Sequence, residues 1–214
     1  MGEFDPIRTK MHTGEIYDGG DTDLMHEQLN YLEEVRLFNN TPCSLEGLRQ
    51  REEMMKEMFA EVGENCYIEP PIHSNFGLKH VHFGKDIYVN FNLTIVDDTY
   101  VYVGDNTMIA PNVVIATAGH PIEPRIREAG GQYNMQVHIG KNCWIGAGAL
   151  ILPGVTIGDN SVIGAGSVVT KDIPENVVAY GNPCKVVRPI NEHDEEYYFK
   201  DRKIPEYMKR KYFK

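Results

Sequence analysis

The side chain best suited to proton transfer in this chain is a histidine beside a long polar segment. His120 lies in Ala118-Gly119-His120-Pro121, between flexible and rigid residues. An imidazole exchanges a proton near neutral pH, so it can accept one from an alcohol. A lone histidine is more often structural, but the flanking Gly and Pro and a place at the root of a loop favour a functional role. We therefore predict that His120 acts as a general base.

Two further groups can bind negative charge or hydroxyl groups. Asn90, in Tyr88-Val89-Asn90-Phe91-Asn92, can donate a hydrogen bond to an oxyanion. Alternatively, it belongs to an asparagine ladder that stabilises neighbouring turns of the fold. Asp97 and Asp98 lie where the sequence repeat slips by two residues, and a carboxylate there can accept a bond from a ligand hydroxyl. Turn formation is their alternative role.

The remaining histidines and the cysteines lack the spacing of a metal site. His80 and His82 alternate onto one face of a strand and His138 adjoins a corner, but no carboxylate or cysteine completes a ligand set. The four cysteines are far apart and lack CxxC spacing, so neither a zinc site nor a disulfide framework is indicated. We expect no metal in this protein.

A six-residue period positions these groups. Aliphatic residues recur six apart at Ile139, Ile145, Ile151, Ile157, Ile163 and Val169. Gly directly follows four of them. A helix would drift off this pattern, whereas a stack of short strands keeps it. We predict a solenoid in which each aliphatic residue points into a narrow core and the following Gly permits a tight corner.

The period extends towards the N-terminus and contains one long interruption. The earlier apolar residues in this pattern are Phe83, Val89, Ile95, Val103, Ile109 and Ile115. Residues 116–136 then contain Gly, Pro and charged residues and almost no inward aliphatic set. We predict a long loop extruded from one corner of the solenoid. Such loops on rigid scaffolds are usually functional, and an insertion without a role is the alternative.

The first sixty residues have a helical pattern. Asp21 or Thr22 is expected to cap one helix, and Ser44 a second helix that ends at Gly63. The polar segment at residues 14–18 precedes the first helix and is expected to be free to face a ligand.

These patterns divide the chain into three parts. Residues 1–62 form a predicted N-terminal helical cap, residues 63–190 the solenoid, and residues 191–214 a C-terminal tail. The strands are expected to begin near Cys66, and the period stops after Val169. We predict a solvated terminal helix in the tail, folded over its own or a neighbouring subunit.

Composition and charge exclude several classes of partner. A hydrophobic content of 42% in 214 residues fits one globular unit with an accessory segment. The net charge of -10 argues against a nucleic-acid partner, because phosphates require a basic face. No apolar run approaches the length of a membrane span, and the start MGEFDPIRTK lacks a hydrophobic secretion signal. We expect a cytoplasmic protein with no membrane partner.

Several motifs occur together in this chain. They are the hexapeptide repeats, NFNLTIVDD, IAPNV, GHP, WIGAGALILPGVTIGDNSVIGAGSVVTKDIP and GNPCKVVR. With the helical cap, this combination resembles the galactoside and maltose O-acetyltransferases of the hexapeptide acyltransferase superfamily. The resemblance implies a mostly β fold, a left-handed parallel β-helix with three hexapeptides per coil. It also implies a homotrimer with active sites between subunits.

The same resemblance implies roles for individual residues. His120, in GHP, corresponds to the catalytic base, and Asn90, which opens NFN, to the residue that stabilises the oxyanion. An N-terminal acceptor-binding aspartate of the family falls opposite Gly19, and Asp18 is the nearest substitute. The residues that match acceptor-binding or pocket positions are Asp18, Asn75, Tyr88, Asp98 and Trp144.

The resemblance also implies that coenzyme A binds along the last coils and the exit segment. The matching residues are Ala147, Ala165, Thr170, Lys171, Lys185 and Arg188. Small residues leave room for the pantetheine arm, and basic residues can meet the nucleotide phosphates. Where the family often has arginine, this chain has Lys185, which keeps the charge but loses the bidentate fork.

The implied reaction is direct acetyl transfer from acetyl-CoA to a hydroxyl, at the 6-position, of a galactoside or other pyranoside. It needs neither a metal nor an acyl-enzyme. Three alternatives stay open: maltose or glucose as the acceptor, a hydroxylated xenobiotic as the acceptor, or a structural β-solenoid without activity. A substrate panel separates the acceptors, and an acetyl-CoA titration tests the structural alternative.

Overall fold

The computed structural model describes residues 6–213. Residues 1–5 of the predicted cap and residue 214 of the predicted tail lie outside the described residues. The helices are α1 (Pro6–Thr13), α2 (Thr22–Asn39), α3 (Leu45–Met58), α4 (Pro124–Glu128), α5 (Glu192–Glu196) and α6 (Glu206–Tyr212). Asp21 caps α2 and Ser44 caps α3, each through its side-chain oxygen, as predicted.

Short strands follow in coils of three. Strand β1 (Tyr17–Asp18) precedes them. The first three coils are β2 (Glu61–Val62), β3 (Tyr67–Ile68) and β4 (Ile72–Ser74); β5 (Val81–Phe83), β6 (Tyr88–Val89) and β7 (Leu93–Val96); and β8 (Val101–Val103), β9 (Met108–Ile109) and β10 (Val114–Ala116). Strands β11 (Ala118–Gly119) and β12 (Gly131–Asn134) then lie outside the coils.

Two more full coils follow the insertion. They are β13 (Val137–Ile139), β14 (Trp144–Ile145) and β15 (Leu150–Ile151); and β16 (Thr156–Ile157), β17 (Val162–Ile163) and β18 (Val168–Val169). The remaining strands are β19 (Val177–Tyr180), β20 (Lys185–Pro189), β21 (Tyr197–Phe199) and β22 (Arg202–Lys203).

The coils stack into three parallel sheets, which form the faces of a prism. Face 1 contains β2, β5, β8, β13 and β16; face 2 contains β3, β6, β9, β14, β17 and β19; face 3 contains β4, β7, β10, β15 and β18. The chain passes from face 2 to face 3 at what we call the second corner, and from face 3 back to face 1 at the third corner. This parallel β-solenoid with N-terminal helices confirms the predicted mostly β fold.

The repeated aliphatic residues form the core, as predicted. Equivalent residues of successive coils stand in register, so that Ile109, Ile145 and Ile163 form one column. All three are fully buried. Because one coil exposes its inner edge, burial is achieved only by stacking, and each buried isoleucine contributes about 1.5–3 kcal/mol.

The glycines after the aliphatic residues have a different role from the one predicted. Gly140 and Gly146 do not adopt a positive φ; the left-handed residues of these corners come two positions later, at Asn142 and Gly148. A Cβ on Gly140 would lie 2.7 Å from the backbone nitrogen of Asp159 in the next coil. These glycines are therefore required because the coils approach each other closely, not because the corner needs their conformational freedom.

The solenoid is longer than the sequence pattern indicated. Helix α3 ends at Met58 rather than at Gly63, because Phe59 turns to extended backbone and packs its ring against Phe83, with 4.9 Å between the ring centroids. The first strand of the solenoid, β2, begins before Cys66 and already pairs with β5. After Val169, a further coil continues through an Ile173–Ile157 bridge and β19, which pairs with β17.

The tail is not a single helix. A capping box at Asn191 starts the five-residue helix α5, and Lys200 adopts a φ of 51° in the turn between β21 and β22. Pro205 then precedes α6, which carries a basic last turn. These turn residues break the tail into short elements.

Several features are absent from the described part of the chain. No helix within residues 6–213 has the length and apolarity to cross a membrane. The same residues contain no group of three His, Cys, Asp or Glu side chains arranged to hold a metal. The four cysteines are free thiols.

Helix α1 is attached to the solenoid through a histidine. The ring of His12 stacks on Tyr100 at 4.4 Å, meets His80 edge-on at 4.8 Å, and has its Nδ1 2.9 Å from Thr99 Oγ1. Burial, with a smaller contribution from neighbouring His80, lowers the pKa of His12 to about 4. Neutral His12 is therefore the form that fits this contact.

This contact predicts acid sensitivity. Protonated His12 favours the unfolded state, where its pKa is about 6.5, so its contribution to stability is lost as pH falls from 6.5 to 4. His12→Asn keeps a polar side chain without this titration, so the variant should lose less stability than wild type across that interval. Thermal unfolding of both proteins at half-unit pH steps measures this loss of stability.

The exposed helical residue His26 provides the matched control. His26→Asn should follow the wild-type curve. Parallel curves for wild type and His12→Asn between pH 6.5 and 4 would contradict the assignment.

Candidate active site

The predicted loop is itself folded. It contains β11, α4 and β12, and β12 lies between β1 and β11 in a three-stranded antiparallel sheet. Gly130 has a φ of 82° just before β12, a conformation that suits glycine. The segment at residues 14–18 is therefore not free, because Tyr17 is buried and pairs with Gln132 in this sheet.

His120 follows β11 and is exposed at the third corner. Its Nδ1 lies 3.0 Å from the carbonyl oxygen of Gly131. A carbonyl oxygen only accepts, so Nδ1 must donate a proton, and Nε2 of the neutral ring carries the free lone pair. This hydrogen bond fixes both the tautomer and the ring direction, and it leaves a nitrogen able to accept a proton from a ligand.

Asp98 is held by two side-chain amides. Its Oδ2 accepts from Asn75 Nδ2 at 2.9 Å and its Oδ1 from Gln132 Nε2 at 3.1 Å. The structure thus brings together two residues predicted for the acceptor, Asn75 and Asp98, and adds Gln132 from the folded loop. A carboxylate has about four acceptor sites, so Asp98 can still accept from a ligand hydroxyl.

The neighbouring carboxylate, Asp97, has a structural environment. It is fully buried, and its Oδ1 accepts from Ser74 Oγ at 2.7 Å and from the Phe76 backbone nitrogen at 2.8 Å. Burial raises the pKa of Asp97 above its usual range. Of the two aspartates at the slip in the repeat, only Asp98 contacts the folded loop through its carboxylate.

Asp18 completes the group of residues at the third corner. It pairs with Gly131 across the β1–β12 ladder, and its Oδ1 accepts from the Gly20 backbone nitrogen at 2.9 Å. Gly131 is also the residue that accepts from His120. We call Asp18, Asn75, Asp98, His120 and Gln132 the loop patch.

A second group of predicted residues lies on face 2. Tyr88, Met108 and Trp144 stand in register on three successive coils, with exposed fractions of 42%, 50% and 53%. Tyr67 extends the row, with its ring parallel to that of Tyr88 at 5.8 Å. We call Tyr67, Tyr88, Asn90, Met108 and Trp144 the strand patch.

Asn90 lies at the second corner, directly after β6. Its Oδ1 accepts from the Phe91 backbone nitrogen at 2.8 Å, so both protons of Nδ2 are directed away from that bond. A cavity of about 610 Å³ lies beside it, lined by Tyr67, Glu69, Tyr88, Asn90 and Phe91.

Asparagine ladders are present, but Asn90 is in neither of them. One joins Asn92 to Asn112 at 3.1 Å, at the second corner. The other runs through Asn142, Asn160 and Asn176, with bonds of 3.0 and 2.9 Å. All five of these asparagines have a positive φ, so they are the corner residues of the coils.

The loop patch and the strand patch are separate within one chain. His120 is at the third corner and Asn90 at the second, with face 3 between them. Among residues 6–213, no hydrogen bond or ring contact links one patch to the other. One chain therefore does not assemble the predicted base and the predicted oxyanion donor into a single site.

Four of the residues predicted for coenzyme A lie on the outside of the last coils. Ala147 and Ala165 are exposed at the second corner of adjacent coils, where the Gly166 nitrogen donates to the Ala147 oxygen at 2.8 Å. Thr170 and Lys171 are exposed where the chain leaves face 3. The surface formed by Ala147 and Ala165 therefore carries only methyl side chains at these two positions.

The other two predicted residues lie on β20, which runs antiparallel to β19 along face 2. Lys185 is exposed beside Tyr180. Arg188 forms a bidentate ion pair with Asp194, with N–O distances of 2.6 and 2.7 Å, and this pair lowers the pKa of Asp194 to about 2. The Arg188 guanidinium thus already has a carboxylate partner within the chain.

Sequence reasoning missed the residues that join the N-terminal segment to the loop. Asn134 is buried, and its Nδ2 lies 2.9 Å from the Tyr17 hydroxyl and 3.1 Å from the Asp98 carbonyl oxygen. Gln132 Nε2 lies 2.6 Å from the same hydroxyl. The alternation of Gln132, Tyr133 and Asn134 after two glycines was the available signal for a strand here.

Two protein-family models match this chain, one over the helical cap and one over the solenoid. Residues 10–63 match the model of the maltose acetyltransferase hexapeptide capping motif, and residues 136–171 match that of the bacterial transferase hexapeptide. A solved galactoside acetyltransferase in complex with coenzyme A has a TM-score of 0.89 at 47% identity, covering 94% of this chain and 99% of that one.

Two further relatives define the family. The crystal structure of a maltose O-acetyltransferase from Clostridium difficile 630 superposes with a TM-score of 0.83 at 44% identity, covering 87% of this chain and 98% of that one. The galactoside O-acetyltransferase of Lactococcus lactis is 53% identical, covering 91% of this chain and 93% of that relative. At this identity and coverage the chain belongs to the galactoside and maltose O-acetyltransferase family, and it is a hexapeptide-repeat acyltransferase.

Proposed function

We propose that this protein transfers the acetyl group of acetyl-CoA to the 6-hydroxyl of a galactoside or another pyranoside, with His120 as the general base. The observation that carries the proposal is the hydrogen bond from His120 Nδ1 to the Gly131 carbonyl oxygen, which leaves Nε2 of this exposed residue as the proton acceptor of the loop patch. The acceptor class is taken from the relatives, which are named galactoside and maltose O-acetyltransferases.

The reaction is a direct transfer between two bound substrates. His120 Nε2 takes the hydroxyl proton, and the oxygen attacks the thioester carbonyl carbon to form a new C–O bond. The carbonyl becomes an oxyanion until the C–S bond breaks, and the departing thiolate recovers the proton from the imidazolium. Asp98 accepts hydrogen bonds from the other hydroxyls of the sugar, and Asn75 donates to them. Asp18 binds the sugar at the edge of the loop patch.

Asn90 supplies the donor for the oxyanion from a second copy of the chain. Its Nδ2 protons are free of the Phe91 bond, and such a donor stabilises the tetrahedral intermediate. Since one chain keeps Asn90 and His120 on different corners, we propose a homotrimer in which the loop patch of one subunit meets the strand patch of the next. Tyr88 and Trp144 then line the acceptor side of the shared pocket.

Coenzyme A lies along the last coils in this proposal. The solved galactoside acetyltransferase that superposes on 94% of this chain is in complex with coenzyme A. Ala147 and Ala165 provide a wall without bulky side chains for the pantetheine arm, with Thr170 at its end. Lys171 and Lys185 are exposed cations for the phosphates, whereas Arg188 contributes only if it exchanges its Asp194 partner for phosphate.

Maltose or glucose is the second candidate acceptor. The 44% identity to a maltose O-acetyltransferase favours maltose or glucose over a xenobiotic, which no contact among the described residues favours. A panel of galactosides, glucose, maltose and a hydroxylated xenobiotic, assayed by thiol release from acetyl-CoA, ranks the acceptors. The cytoplasmic location stays a prediction.

Loss of the base should strongly reduce turnover while leaving the fold intact. His120→Ala removes a ring that is exposed, so we expect unchanged thermal stability and coenzyme A affinity, with kcat reduced about 10²–10⁴-fold. Steady-state kinetics and a coenzyme A titration measure the two effects.

The exposed His73 on face 3 provides the matched control. His73→Ala should retain wild-type turnover. A His120→Ala protein that turns over at the wild-type rate would rule out the general-base role.

The shared site predicts complementation between two inactive variants. His120→Ala and Asn90→Ala should each be impaired alone, the second about 10²–10³-fold. Unfolded and refolded together, they form mixed trimers in which some sites combine an intact His120 with an intact Asn90, so activity should return to a substantial fraction of wild type.

Refolding each variant separately is the control and should restore nothing. A mixture that stays as inactive as its components, in particles that sedimentation shows to be mixed trimers, would place both residues in the site of one chain.

A further inference from the structure

Gln132 lies at the centre of the hydrogen bonds that hold the loop patch. Its Nε2 is 2.6 Å from the Tyr17 hydroxyl, 3.1 Å from Asp98 Oδ1 and 3.2 Å from Asn134 Oδ1. The amide nitrogen has two protons, which serve the two nearest acceptors, the Tyr17 hydroxyl and Asp98 Oδ1. Nε2 must therefore be the nitrogen of the amide, because an oxygen placed there would face the carboxylate of Asp98.

The two oxygens of Asp98 each receive one side-chain amide. Asn75 donates to Oδ2 and Gln132 to Oδ1, and the Asp98 residue is 7% exposed. Both donors are neutral, so they fix the plane of the carboxylate without cancelling its charge. The charge and the remaining lone pairs stay available for a hydroxyl.

Tyr17 fixes Gln132 in turn. It is 5% exposed, pairs with Gln132 across the β1–β12 ladder, and accepts from both Gln132 and Asn134. Burial is the main cause that raises the pKa of Tyr17 to about 12, so its hydroxyl stays protonated and neutral beside Asp98. The segment before α2 thereby reaches the carboxylate through two hydrogen bonds.

We propose that Gln132, oriented by Tyr17, is a positioning residue that aims the Asp98 carboxylate at the acceptor sugar. The inference rests on the proposed function and extends it to two residues outside the predicted site. It assigns to the N-terminal strand β1 a role in acceptor affinity. Neither residue contacts the reacting atoms, so their effect should appear in acceptor binding and not in coenzyme binding.

Gln132→Met tests the role with a side chain of similar length that cannot donate. We expect the acceptor KM to rise about tenfold, the size of one lost hydrogen bond to a charged group, with kcat and the acetyl-CoA KM within twofold of wild type. Gln132→Glu places a like charge beside Asp98. Its acceptor KM should rise further and increase with pH from 4 to 7, as the new carboxyl ionises.

Tyr17→Phe keeps the buried ring and removes the hydroxyl. Its acceptor KM should rise by a smaller factor, and the double variant Tyr17→Phe/Gln132→Met should bind the acceptor no worse than Gln132→Met alone, because the hydroxyl acts only through the amide. If Gln132→Met does not fold, Tyr17→Phe alone still tests whether the hydrogen bond between Tyr17 and Gln132 affects acceptor binding.

The control is Gln136→Met in the same segment, since Gln136 makes no side-chain hydrogen bond within the described residues. It should leave both KM values unchanged. A Gln132→Met enzyme with the wild-type acceptor KM, or with both KM values raised equally, would overturn the positioning role. If wild type itself acetylates no pyranoside in this assay, the proposed function fails instead, so the two failures are distinct.

Discussion

The close approach of successive coils is the constraint on which the molecule depends. Backbone hydrogen bonds join each coil to the next, and at Gly140 and Gly146 the neighbouring backbone leaves no room for even a Cβ. Coils held this tightly must stay in register, so side chains at equivalent positions form straight columns. Ile109, Ile145 and Ile163 form such a column inside, and Tyr88, Met108 and Trp144 form one outside. The same geometry that builds the core thus also builds a row of exposed rings.

The sequence was most informative where structure depends on local repetition. The period that ends at Ile163 and Val169 predicted the core, and the side chains of Asp21 and Ser44 predicted the helix starts, because both signals are contained in short stretches. It was less informative about Gly140, whose importance comes from steric contact with Asp159 in the next coil rather than from its own backbone angles.

The candidate site shows the same division. His120, Asn75 and Asp98 were identified through their motifs, and the structure places all three at the third corner. The loop was expected to lack strands because its partner, Tyr17, is 115 residues distant from Gln132, and no local pattern reports such a pairing. Arg188 shows a further limit, since its ion pair with Asp194 depends on how the tail turns back. Residues that hold other residues in place are therefore the ones that sequence reasoning missed.

The insertion between β10 and β13 leaves the solenoid and returns to it without altering the alignment of the strands on either side. Val101 still pairs with Val137 in the sheet of face 1, and Ile115 still pairs with Ile151 in the sheet of face 3. The insertion therefore folds as a separate unit that does not change the register of the solenoid. A change in its length or composition therefore need not displace the later coils, which carry the residues proposed to bind coenzyme A. If the proposed function holds, substitutions confined to this insertion and strand β1 would change the acceptor side of the site without moving the core of the solenoid.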